Sequence, residues 1–125
     1  MRVFDAHCDT IVKVVDEGAD FVGGGPGLHV TLPGLRTAVC VQVFACCVPE
    51  IRHPGTARER GLALVEAVGE LCAAHPQDLV LADGSTALAA GCAGGSADAG
   101  GGRTAVIVAL EGADPLEGDV EALRE

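Results

Sequence analysis

Residues 38–48, Ala-Val-Cys-Val-Gln-Val-Phe-Ala-Cys-Cys-Val, form a nearly continuous apolar run that stops at Pro49. A strand with one wet face alternates apolar and polar residues; a run that does not alternate has both faces covered. Such strands belong to parallel sheets flanked by helices. Residues 104–110, Thr-Ala-Val-Ile-Val-Ala-Leu, read the same way, with Glu111 at the tip and Gly112 starting the turn. Gln42 is the one polar residue inside the first of these runs and must find a hydrogen-bond partner.

A third strand is expected at the N-terminus, over residues 2–9. Strand alternation puts Val3, Asp5, His7 and Asp9 on one face and Phe4, Ala6 and Cys8 on the other. Residues 11–17 read as a short helix closed by Gly18. The Gly23-Gly24-Gly25-Pro26-Gly27 stretch lacks the spacing and the Lys-Ser/Thr of a phosphate-binding loop, so it reads as a flexible loop. Leu32-Pro33 starts a short helix at the proline. Thr56-x-x-Glu59 reads as a capping box before a helix whose Leu64, Val65, Val68, Leu71 and Cys72 recur at helical spacing, stopped by His75-Pro76. Arg58, Glu59, Glu66 and Glu70 fall on its solvated side. Leu79–Ala82 reads as a short extended segment, 84–90 as a small helix, 94–102 as a low-complexity loop, and a new helix starts at Asp119.

Three apolar strands with polar C-terminal ends, joined by helices, predict an α/β fold built on a parallel sheet. In a (β/α)8 barrel the chemistry gathers at those strand ends, and a whole barrel needs eight strands and about 250 residues. The 125 residues therefore read as the N-terminal portion of a TIM-type barrel, about three strands, in one incomplete domain spanning 1–125.

Charge narrows the partners. Eight Lys+Arg against eighteen Asp+Glu give a net charge of −10, which argues against nucleic acid and against an anionic membrane surface. No apolar run reaches the roughly 20 residues of a membrane helix, and no signal-peptide pattern opens the chain, so a cytoplasmic location is the expectation. The six cysteines (8, 40, 46, 47, 72, 92) follow no metal-knuckle spacing and read as small core hydrophobes.

His7 and Asp9 are the residues with chemistry to offer. An imidazole and a carboxylate side by side at a strand end suit a divalent metal such as zinc. Taken alone, a His that caps a strand and an Asp that opens a turn is the commoner arrangement. The second carboxylate, Glu111 at the tip of another strand, is what raises the metal reading.

Three motifs together carry a resemblance. They are Phe4-Asp5-Ala6-His7-Cys8-Asp9-Thr10, then His29-Val30-Thr31-Leu32-Pro33-x-Leu35-Arg36, then Leu110-Glu111-Gly112-Ala113-Asp114-Pro115-Leu116. In this order they resemble the N-terminal third of the membrane (renal-type) dipeptidases, zinc peptidases of the amidohydrolase-like TIM-barrel group. The resemblance implies that His7 and Asp9 bind one zinc ion and that Glu111 bridges two. It implies hydrolysis of a dipeptide by a hydroxide held between the two ions, with a homodimer allowed for the full-length form. It also implies later strands that supply two more histidine ligands, a substrate-holding histidine and a proton-transfer aspartate. The last histidine here is His75, so no catalytic residue of that set is expected in this chain. The chain alone is expected to be inactive, and poorly folded because of its open sheet edge.

Thr31 and Asp114 depart from the residues relatives often carry, which touches substrate preference more than reaction type. Asp5 is expected either to support His7 or to pair with an arginine elsewhere. Two other readings stand beside the dipeptidase: another barrel metal-dependent hydrolase acting on cyclic amides or phosphoesters, and a small non-catalytic α/β binding domain.

Overall fold

The computed structural model describes residues 3–86, 88–89 and 102–124. Four strands, β1 (Val3–Cys8), β2 (Val39–Cys47), β3 (Leu79–Leu81) and β4 (Thr104–Glu111), form one sheet in the order β1-β2-β4-β3, and every pairing is parallel. The parallel α/β architecture is the expected one. The strand count is not: the Leu79 segment pairs with β4, so the described residues hold four strands instead of three. The short extended segment expected over Leu79–Ala82 is this strand, paired along the edge of β4. Its pairing reaches just from Thr104 to Val106, which leaves the upper half of β4 joined to β2 alone among the described residues.

Three helices cover one face: α1 (Thr10–Glu17), α2 (Leu32–Ala38) and α3 (Ala57–Ala74). Ile11, Leu32, Leu35, Leu64, Val68 and Cys72 from these helices meet Cys8, Phe44, Cys46 and Val106 from the sheet in the main core. Phe44 is fully buried and takes the edge of Phe21 at 6.0 Å between ring centroids. Burying such a ring contributes about 1.5–3 kcal/mol, so Phe21 is the anchor of the long connection between α1 and α2. Around it, Asp20 organises the glycine stretch: its carboxylate accepts from Gly23 N at 2.6 Å and its carbonyl from Gly25 N at 2.9 Å. Gly24 and Gly27 take positive φ there, the conformation for which glycine has no Cβ penalty.

Among the described residues the opposite face is covered at its N-terminal end, where Cys40, Val41 and Ala105 pack with Val80, Ala82, Leu88 and Ile107. Gln42, fully buried, half satisfies itself: Nε2 donates to Val43 O at 3.1 Å, and Oε1 has no partner. At the base of the sheet Arg36 grips Asp78 with two hydrogen bonds, of 2.6 and 2.7 Å, and Arg60 on α3 pairs with Asp16 on α1.

Two local expectations change. The capping box at Thr56 does not form; Thr56 makes no side-chain cap, and the Arg58 amide is taken by Glu117 instead, at 3.1 Å. Thr31 does cap α2, accepting from Gly34 N at 3.3 Å, with the proline in the first turn as expected. The helix foreseen from Asp119 is a 3-10 helix, Val120–Arg124, preceded by another at Asp114–Leu116. The loop over 94–102, apart from Gly102, lies outside the described residues, as do Cys92 and part of the 84–90 helix.

Candidate metal centre

Cys8 packs into the core beneath the helices, so its neighbour His7 points to the other face of the sheet. On β4, Ala105 and Ile107 pack on that same far face, and alternation carries it through Ala109 to Glu111. His7 and Glu111 thus stand on one face at the C-terminal ends of strands separated by β2. Asp9 reaches them differently from the strand reading. β1 ends at Cys8, and Asp9 is the N-cap of α1, with φ −90° and ψ 13°. This turn keeps the carboxylate beside the imidazole.

The three side chains converge. His7 Nε2 lies 3.5 Å from Asp9 Oδ2 and 3.7 Å from Glu111 Oε2. One ligating atom from each lies within 4.8 Å of the others, which makes them the cluster of metal-capable groups among the described residues. All three are open to approach, with side-chain exposures of 55% for His7, 60% for Asp9 and 47% for Glu111. One imidazole nitrogen with two carboxylates is a borderline-to-hard donor set that fits zinc.

Asp5, half-buried, turns its carboxylate back to the chain and accepts from His7 N at 3.2 Å. It braces the backbone of the first donor. Beside the cluster lies a cleft of about 520 Å³ lined by Asp5, His7, Asp9 and Thr10, together with Lys13 and His29. Its outer wall, residues 27–30, is held by Lys13 Nζ donating to Gly27 O at 2.8 Å and Thr10 Oγ1 donating to Val30 O at 3.4 Å. His29 lines this cleft without joining the cluster, and His53 lies in a separate depression with Thr56, Glu59 and Arg60.

Cys47 is the residue that the sequence reading misplaced. Four of the described cysteines (8, 40, 46, 72) are buried, but Cys47 is half-buried and sits in register opposite Glu111. Burial first, then the carboxylates of Glu111 and Asp9, push its thiol up. Its position as the last residue of an apolar run, just before the loop at the strand tips, is the signal that could have found it. Cys46 and Cys72, by contrast, are core thiols pushed up to about 11 by burial.

Comparison with known proteins agrees with this fold. The family model described as membrane dipeptidase (peptidase family M19) matches residues 1–125. Among solved structures, one described as the dipeptidase AC, a metallopeptidase of family M19, superposes with a TM-score of 0.77 at 20% sequence identity. The match covers 99% of this chain and 39% of that one, so the chain spans well under half the length of its structural relative and corresponds to the N-terminal part of a dipeptidase barrel. No curated protein matches the sequence.

Proposed function

The chain belongs to the membrane dipeptidase family, peptidase family M19, and from that membership we propose that it carries one wall of a dinuclear zinc centre that hydrolyses dipeptides. His7 and Asp9 would hold one zinc ion, and Glu111 would be the carboxylate shared with a second. The observation that supports this is the convergence of one nitrogen and two carboxylate donors at the tips of parallel strands.

When bound, zinc supplies Lewis-acid polarisation of the peptide carbonyl and lowers the pKa of a bound water to near neutrality. The protein's residues do the rest. Two cations close together repel, and a shared carboxylate, the part Glu111 would play, lowers that cost. Asp5 fixes the backbone from which His7 projects. The open cleft beside His7 and Asp9 is of the size that takes a small ligand, and a dipeptide is the substrate we assign to it.

The proton-transfer aspartate and the remaining histidine ligands belong, in this reading, to later strands of the barrel domain that residues 1–125 begin. A homodimer of the complete protein is part of the same proposal. The test is a polypeptide that continues past residue 125 and supplies those ligands, assayed for release of free amino acids from dipeptides. Activity should need zinc, disappear on chelation and disappear with Glu111→Ala. Turnover that survives chelation would refute the zinc mechanism, and turnover by the 125-residue chain alone would refute the division of the site.

A further inference from the structure

Glu111, the last residue of β4, holds its carboxylate 3.7 Å from a side chain two strands away. The segment after Glu111 turns at Gly112 (φ +92°), passes through the 3-10 turn Asp114–Leu116, and docks on the first turns of α3. Four contacts make that dock. Arg58 Nη2 donates to Leu116 O at 3.0 Å and lies 3.7 Å from Asp119 Oδ2. Glu117 Oε1 accepts from Arg58 N at 3.1 Å, taking the helix amide that Thr56 leaves free. Pro115 is buried against Gly61, where an added Cβ would come within 3.0 Å of the proline ring.

Two features mark the dock as specifically built. Glu117 is the one non-glycine with positive φ (50°) among the described residues, a backbone conformation retained where its carboxylate reaches the helix. Arg58, expected on the solvated face of α3, is instead drawn inward far enough that its Nε is buried without a partner. Both residues give up a favourable local state for their contacts in the dock, Glu117 to the Arg58 amide and the Arg58 side chain to Leu116 O and Asp119.

We propose that Arg58 and Glu117 are positioning residues for Glu111: by pinning residues 112–119 to α3 they fix the reach of the Glu111 carboxylate toward His7 and Asp9. The proposal rests on the assignment of Glu111 as a zinc ligand.

The test is a double-mutant cycle on this chain, read by zinc affinity against a competing chelator and by amide exchange in the zinc-free protein. Arg58→Leu should weaken zinc binding about 10-fold, the usual loss when a ligand's supporting contact is removed, and should cause no further loss in the Glu111→Ala background. Glu117→Ala should act likewise, while Glu117→Gln, which keeps the accepting oxygen, should restore wild-type affinity. Equal losses with and without Glu111, or no loss at all, would overturn the proposal. If Glu111→Ala itself leaves zinc binding unchanged, the ligand assignment fails, and the dock is then judged by exchange alone. Faster exchange at the Leu116 and Glu117 amides in Arg58→Leu supports it, and unchanged exchange overturns it.

Discussion

His7 Nε2 and Glu111 Oε2 stand 3.7 Å apart although their strands are separated by a third. The strand between them, β2, ends in Cys47, whose backbone is in register with Glu111. A thiol at this position could be taken for a ligand, but the converging group is made of His7, Asp9 and Glu111. Cys47→Ala should therefore leave the zinc affinity of the chain unchanged in a chelator competition, while Asp9→Ala weakens it.

Phe21 holds the connection that carries the outer wall of the cleft. Its ring is buried edge-on against Phe44, and truncation leaves a cavity that the rigid sheet cannot close. Phe21→Ala should cost about 3–5 kcal/mol in urea unfolding. A loss under about 1 kcal/mol would mean that the connection is not anchored there.

Two glycines of α3 make an internally controlled pair. At Gly69 an added Cβ meets nothing within 4 Å, whereas at Gly61 it meets Pro115 at 3.0 and 3.2 Å. Alanine is the better helix former by about 1 kcal/mol, so Gly69→Ala should raise stability. Gly61→Ala should lose that gain or reverse it, since Pro115 belongs to a closed ring that cannot rotate aside. Equal midpoint shifts in the two variants would contradict the close packing.

The Arg36–Asp78 pair should show itself in acid. Its hydrogen bonds to Arg36 hold the Asp78 carboxyl below the ordinary aspartate value of 3.8. A lowered native pKa contributes stability above the unfolded value, and that stability is lost as pH falls through the native pKa. Wild type should therefore lose more stability than Asp78→Asn as the pH is lowered below 3.8, and the difference between them should shrink with salt because Arg36 is half exposed. Parallel stability curves for the two proteins at low pH would exclude the pair as a contributor.

What could be read in the residues follows the range of the forces involved. β2 and β4 were legible because an unbroken apolar run has few alternatives to a buried parallel strand, and α3 because Leu64, Val68 and Cys72 repeat at helical spacing. The grouping of His7 with Glu111 is legible in the polar C-terminal tips of apolar parallel strands and in the family resemblance. Asp9 reads as a strand residue because the turn into α1 starts within the same motif, and its side chain arrives at the same place by another backbone route. Arg58 and Glu117 were not legible. Fifty-nine residues separate them, and the local Thr56–Glu59 pattern offered a competing cap that the fold does not use. Cys47 was hidden because a cysteine in an apolar run looks the same at its exposed end as in its buried middle.

In the proposed site a nitrogen and carboxylate oxygens, not sulfur, hold zinc at these strand tips. X-ray absorption at the zinc edge of the zinc-loaded chain tests it most directly. The expected result is a shell of nitrogen and oxygen neighbours at about 2.0–2.2 Å, with the imidazole contribution lost in His7→Ala. A sulfur shell at about 2.3 Å, or a spectrum that His7→Ala leaves unchanged, would contradict it.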